Sequence, residues 1–205
     1  MDAKLRVAGV VIAGGRSTRF GGEKAVAPFR GEPLLLRAAR RLASVAERVA
    51  VNARPGTAAE ALARSAGYTV LHDAPGDPDG PLSGVKAGLA WARRQGASLL
   101  AVSPCDTPLL PDDLHVRLVA AAGRGAAMAE TEEGRQPLCA VWPVTALEAL
   151  ETALAGGAHP PTWRMLEAVG AVPVRFGQAQ QFANANTREE LARLEAIASG
   201  TGHQR

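Results

Sequence analysis

A chain of 205 residues, 47% hydrophobic and 21% charged, can bury a substantial core and has an ordinary globular composition. Its formal charge of +3 comes from scattered arginines without aromatic interleaving, in a chain only 4% aromatic, which disfavours nucleic-acid binding but suits a basic cleft for a small anion. No apolar run approaches the roughly 18 residues of a membrane span, and the opening Met-Asp-Ala-Lys-Leu-Arg lacks the apolar region of a signal peptide.

Short β-like runs alternate with Ala/Leu/Arg-rich helical segments. Val7 to Ile12 reads as a buried strand ending in glycines. Leu34 to Ala46 has helical spacing, Arg48 to Asn52 is a second strand, and Thr57 to Ala66 a helix closed by Gly67. Tyr68 to His72 is a third strand ending at Asp73; Ala74 to Gly80 is too rich in Pro, Gly and Asp for regular structure. A helix from about Leu82 to Gln95 leads to the most hydrophobic strand, Ser98 to Ser103, and then to Pro104-Cys105-Asp106-Thr107-Pro108. Pro111 is expected to start the next helix, with Asp112 and Asp113 in its first turn. Ala126 to Ala129 and Leu138 to Trp142 read as an antiparallel excursion, Val144 to Leu154 and Trp163 to Val169 as helices, and Val172 to Phe176 as a strand. Phe182 to Ala185 is a short extended piece, and Thr187 with Glu190 forms a capping box for a last helix. The alternation predicts a mostly parallel α/β sheet with helices on both faces, and one domain over 1–205 with an ordered core at about 5–197.

The densest signal is the loop leaving the first strand, I-A-G-G-R-S-T-R-F-G-G-E-K from Ile12 to Lys24. Gly14, Gly15, Gly21 and Gly22 free the backbone to approach an anion, and Arg16, Arg19 and Lys24 balance its charge, so the loop suits a polyphosphate. A P-loop would need Ser or Thr after the lysine, where Ala25 stands. A dinucleotide fingerprint would open directly into a helix, which Pro28 and Pro33 delay. Asp106 follows an apolar strand between two prolines that fix its backbone; it reads as a hard-oxygen ligand for Mg²⁺ or Mn²⁺, or as an Asx-turn residue shaping the loop. Asp73 and Asn52 also sit at strand ends, the edge where ligands of such sheets bind, and Asn184 and Asn186 in N-A-N-T are spaced to share one side of an extended segment. Asn52 also reads as a plain strand-terminal turn residue. The four histidines have no spacing that suggests a dyad or metal site, Cys105 reads as packing under its loop, and Cys105 and Cys139 suit a reducing cytoplasm.

The glycine loop with P-C-D-T-P, G-P-L-S-G (Gly80 to Gly84) and N-A-N-T resembles the molybdenum cofactor guanylyltransferases, a family of nucleotidyltransferases. The resemblance runs from Ile12 through Asn186 in order. It implies a three-layer α/β/α, Rossmann-like fold of the nucleotide-diphospho-sugar transferase, glycosyltransferase-A-like kind. The implied reaction joins GMP from GTP to molybdopterin, releasing pyrophosphate, with other cofactor-biosynthesis proteins and molybdoenzyme chaperones as partners. Ile12, Ala13, Gly14, Gly15, Lys24, Asn52, Asp73 and Asp106 would bind the nucleotide, Arg19, Lys24 and Asp106 would act in catalysis with Asp106 on the metal, and Asn184 and Asn186 would face the acceptor. Asp73 would lie on the base and ribose side, where a carboxylate suits the two-donor edge of guanine. Gln136 stands where relatives often carry His, and Ala158-His159-Pro160-Pro161 interrupts the acceptor-side pattern. Two rivals remain: a cytidylyltransferase of the same fold, and a non-catalytic GTP-binding protein that delivers cofactor.

Overall fold

The computed structural model describes residues 5–15 and 19–200. Its strands are β1 (Val7–Ile12), β2 (Pro28–Phe29), β3 (Glu32–Pro33), β4 (Arg48–Asn52), β5 (Thr69–Leu71), β6 (Leu99–Pro104), β7 (Ala127–Thr131), β8 (Gly134–Pro143) and β9 (Val172–Arg175). Its α-helices are α1 (Leu34–Leu42), α2 (Ala58–Ser65), α3 (Pro81–Arg94), α4 (Leu114–Ala122), α5 (Leu147–Leu154), α6 (Thr162–Ala168) and α7 (Arg188–Ala198). Seven strands form one sheet in the order β5-β4-β1-β6-β8-β7-β9, in which β8 alone runs antiparallel to its neighbours; β2 and β3 make a separate hairpin.

Period-two alternation divides the core. Val7 and Val11 of β1 face one way, among Ala38 and Leu42 of α1, Ala59 and Ala63 of α2, and Leu114 and Leu118 of α4. Ala8 and Val10 face the other way, among Leu82, Val85 and Leu89 of α3, Leu150 of α5 and Leu166 of α6. A strand covered on both faces must be apolar throughout, which is why β1 reads V-A-G-V-V-I. Gly88 lets α3 lie close: a Cβ there would come 2.9 Å from Leu100 and 3.0 Å from Val10. A third cluster, Phe20, Ala27, Phe29, Leu34, Ala185, Leu191 and Leu194, packs α7 over the hairpin and the end of the glycine loop.

The chain leaves β1 toward β4 and β5, then returns to β6 on the other side of β1. That reversal is the topological switch point at which open α/β sheets bind ligands. Register makes the place exact to the residue: Ile12 pairs with both Asn52 and Pro104, and Asn52 pairs with Leu71. Four strands therefore end level, and their loops leave one edge.

Several local expectations change. The first helix stops at Leu42 rather than Ala46, and the helix expected at Pro111 begins only at Leu114, leaving Asp112 and Asp113 before it. A 3₁₀ turn, Ala179–Phe182, occupies the start of the expected extended piece, and the 3₁₀ turn at Lys24–Val26 and the β2–β3 hairpin were not legible in the pattern. The antiparallel excursion is longer than expected: β7 and β8 continue through the polar stretch past a bulge between Met128 and Ala129.

His115 of α4 is 2% exposed, with Nε2 3.3 Å from the Val102 carbonyl. Burial disfavours the charged imidazolium and pushes its pKa down to about 4. Between the ordinary value of 6.5 and about 4 the unfolded chain therefore binds a proton that the native state refuses. Stability from this residue is present above that window and is lost as pH falls through it, by at most about 1.4 kcal/mol per pH unit. The urea midpoint is expected to fall from pH 6.5 to 4 more steeply in the wild type than in His115→Gln; parallel pH profiles would contradict this.

Candidate active site

A cavity of about 400 Å³ opens at the level strand ends. Ala13, Gly14, Gly15 and Lys24 reach it from the loop after β1, Asn52 from the end of β4, Arg54 from the loop that follows, and Asp73, Asp79 and Gly80 from the segment after β5. Cys105 and Asp106 enter from the end of β6, and Leu138 of β8 closes the wall.

Its charge centre joins the two densest motifs. Lys24 Nζ donates to Asp106 Oδ2 at 2.7 Å and to Asn186 Oδ1 at 3.2 Å, with the lysine and aspartate side chains 13% and 24% exposed. Shielding of this degree strengthens a pair relative to one in open solvent. The backbone around Asp106 is held from three directions. The Cys105 N–H donates to the Ile12 carbonyl at 3.3 Å, and the Asp106 carbonyl accepts from the Ala185 N–H at 2.8 Å. From below, Arg41 Nη2 and Arg37 Nε donate to the Pro108 carbonyl at 2.8 and 2.9 Å. Arg41 is 9% exposed, and burial lowers its pKa to about 10, leaving it charged at neutral pH. Asn186 is fixed by the start of α7: Thr187 and Glu190 form the expected capping box, and Glu190 also accepts the Asn186 N–H at 2.6 Å.

The other half of the cavity is a rigid polar wall. Asn52, 3% exposed, donates from Nδ2 to Asp73 Oδ1 at 2.9 Å and to the Leu71 carbonyl at 3.4 Å. Gly84 at the start of α3 is required there, since a Cβ would stand 2.4 Å from Asn52 Oδ1. The segment between β5 and α3 is pinned by the Asp77–Lys86 ion pair and by Ser83 Oγ donating to the Pro78 carbonyl at 2.7 Å. His159, in the loop between α5 and α6, accepts the Leu82 N–H on Nε2 at 3.1 Å. Its ring fills the space beside Gly80, whose φ of 153° and missing Cβ admit it.

The structure thus brings Ile12, Ala13, Gly14, Gly15, Lys24, Asn52, Asp73 and Asp106 to one cavity, with Asn186 against its lysine. Arg19 and Asn184 are exposed and do not line it among the described residues, and Arg16 lies outside the described residues. Cys105 is buried, its thiol pushed up to about 12 chiefly by desolvation, with Asp106 beside it adding; burial raises Cys139 as well. Neither can supply a thiolate at neutral pH. No local pattern in the sequence marks Arg54, Asp79 and Leu138 of the wall, nor Arg37 and Arg41 beneath the aspartate loop. Arg41 stands at the edge of the buried face of α1, and only tertiary packing shows that it and Arg37 meet the Pro108 carbonyl.

Arg41→Ala would leave carbonyls of the Asp106 loop short of a buried donor, at a cost of about 1–3 kcal/mol. Urea unfolding of the variant should show that loss, and an unchanged midpoint would mean the clamp is dispensable.

Residues 9–196 match the family model described as the MobA-like NTP transferase domain. The chain is 38% identical over 194 residues to a molybdenum cofactor guanylyltransferase from Cereibacter sphaeroides, covering 94% of this chain and 97% of the relative. It is 35% identical over 201 residues to one from Cupriavidus necator, with 93% and 97% covered. Among solved structures, molybdopterin-guanine dinucleotide biosynthesis protein A from Archaeoglobus fulgidus superposes with a TM-score of 0.73 at 21% identity, over 94% of this chain and 99% of that one. A 4-diphosphocytidyl-2C-methyl-D-erythritol synthase from Anaerococcus prevotii superposes with a TM-score of 0.74 at 11% identity, over 95% and 96%. The last two likenesses speak to the fold, which is that of the nucleotide-diphospho-sugar transferases. On the family match and the near-full-length relatives together, the chain belongs to the MobA-like NTP transferase family.

Proposed function

We propose that the chain is a nucleotidyltransferase that moves GMP from GTP to the terminal phosphate of molybdopterin, or of its molybdenum form, and releases pyrophosphate. The observation that carries the reading is the Lys24–Asp106 pair at 2.7 Å on the wall of a cavity whose rim is the glycine-rich loop. In the reaction a phosphate oxygen of the acceptor attacks the α-phosphorus, the new P–O bond forms, and the α–β bridging bond breaks with its electron pair passing to pyrophosphate. A phosphate monoester is already largely dianionic at neutral pH. The site therefore has no need of a general base, and positioning and charge neutralisation are the protein's tasks. This agrees with a cavity whose titratable lining is carboxylate, ammonium and guanidinium, and whose one cysteine is held as the neutral thiol.

In this reading the Gly14 and Gly15 amides cradle the triphosphate, and Lys24 neutralises charge on the reacting and leaving phosphates. Arg19 reinforces that charge from the exposed end of the same loop. Asp73, oriented by Asn52 through a 2.9 Å hydrogen bond, presents a carboxylate to the nucleoside, where the paired donors of guanine would satisfy both oxygens. Asn186 and Asn184 face the acceptor. No group of three or more His, Cys, Asp or Glu side chains among the described residues could by itself enclose a metal. A divalent ion held by one carboxylate and completed by substrate phosphates needs no such group, and Asp106 with the Asn186 side-chain oxygen near Lys24 offers that chemistry. Mg²⁺, or Mn²⁺ in its place, would supply Lewis-acid neutralisation of the phosphate charge. We read the whole chain as one domain working in the cytoplasm, with cofactor-biosynthesis proteins or molybdoenzyme chaperones receiving its product.

Lys24→Ala should lower the single-turnover rate at saturating GTP by at least about tenfold, equivalent to about 1.4 kcal/mol of barrier, with the fold unchanged by circular dichroism. Asp106→Ala should abolish pyrophosphate release while GTP still binds. Unchanged rates in Lys24→Ala would remove the lysine's role, and release surviving in Asp106→Ala would remove the aspartate's.

A further inference from the structure

Between Gly22 and Lys24 stands a carboxylate to which the reading of the nucleotide loop gives no task. Glu23 is half-buried, and it turns away from the charge centre toward α2. Its Oε2 accepts the Ala58 N–H at 2.6 Å and its Oε1 accepts the Ala59 N–H at 2.9 Å. These are the first two amides of α2, which have no partner within the helix, at the end where the helix dipole favours negative charge. Thr57 takes the next amide, that of Glu60, at 3.3 Å. A two-point, charge-assisted contact fixes orientation as well as distance, so Glu23 is bolted in place rather than merely attracted.

Its backbone carries that fixation into the site. The Glu23 carbonyl accepts the Val26 N–H at 3.3 Å, and the Lys24 carbonyl accepts the Ala27 N–H at 3.0 Å, closing the 3₁₀ turn from which the Lys24 side chain reaches Asp106. On the other side the chain is pliable: Gly21, at φ 70°, and Gly22 precede it. Glu23 is thus the last anchored side chain before the lysine. The segment it grips also belongs to the cavity, because Thr57 Oγ1 donates to the carbonyl of Arg54, which lines the wall, at 2.7 Å.

We infer that Glu23 is a positioning residue for nucleotidyl transfer. Its grip on the first two amides of α2 holds the Lys24 turn opposite Asp106, and it ties the phosphate loop to the segment bearing Arg54. The inference rests on the function proposed above, so its test has one readout that needs no turnover. Glu23→Ala and Glu23→Gln are compared with the wild type in single-turnover dinucleotide synthesis from GTP and molybdopterin, and in amide exchange of the protein without substrate. In Glu23→Ala the rate should fall at least about tenfold with little change in the KM for GTP, and exchange should accelerate at Ala58 and Ala59 and also at Val26 and Ala27. Glu23→Gln, which keeps one acceptor oxygen, should recover part of both. A rate within about twofold of wild type, or acceleration confined to Ala58 and Ala59, would overturn the inference, because the carboxylate would then only cap a helix. If the wild type itself makes no dinucleotide, the proposed function fails and the exchange pattern alone decides the place of Glu23.

Discussion

The site depends on a constraint of backbone register. Ile12 is level with Asn52 and with Pro104, and Asn52 is level with Leu71, so four parallel strands stop on one line. Every loop that carries a candidate functional residue from the first half of the chain begins there. Shifting one strand by a single residue would turn its alternating side chains to the opposite face and move its loop away from the others. The all-apolar β1 and β6, buried on both faces, make such a slip costly because each side chain is fitted to a separate layer of helices.

On that edge, long-range contacts bring together residues 82 and 162 positions apart: Lys24 with Asp106, and Lys24 with Asn186. Each partner is held by something unlike the others. Asp106 stands on a loop whose carbonyls are gripped by Arg37, Arg41 and the Ala185 amide. Asn186 is set by the capping box that starts α7, while α7 is packed through Leu191 and Leu194 onto Phe20 and Phe29. The last helix is therefore part of the site's scaffold, since it braces the end of the glycine loop and supplies the residues before it that meet the charge centre.

Much of this was legible in the residues. Strand and helix alternation gave the layers, because β-branched runs such as V-A-G-V-V-I bounded by glycine suit a doubly covered strand, and T-R-E-E at Thr187 is a capping box that forms as written. The motifs at Ile12–Lys24 and at Asp106, singled out by composition and by resemblance, meet at one cavity through the Lys24–Asp106 pair. The sequence could not give partners whose identity depends on packing. Arg41 lies three residues after Ala38 and seven after Leu34, at the edge of the buried face of α1, and its contact under Pro108 depends on where β6 ends. His159 sits in a Pro-rich stretch with no local pattern, yet it fills the space beside Gly80 from the loop between α5 and α6. The helix expected from Pro111 failed for a local reason: the residues after it form a turn, and Asp113 stands outside the helix without a side-chain cap bond.

We propose that this one edge of the sheet binds GTP for transfer of its nucleotide to a phosphate acceptor. The most direct measurement is mass-spectrometric detection of product after the purified chain is incubated with molybdopterin, Mg²⁺ and equimolar GTP and CTP. The expected product is the guanine dinucleotide, with pyrophosphate in equal amount and little of the cytosine product. Predominant cytosine dinucleotide would contradict the nucleotide assignment, and GTP binding without any dinucleotide would contradict catalysis itself.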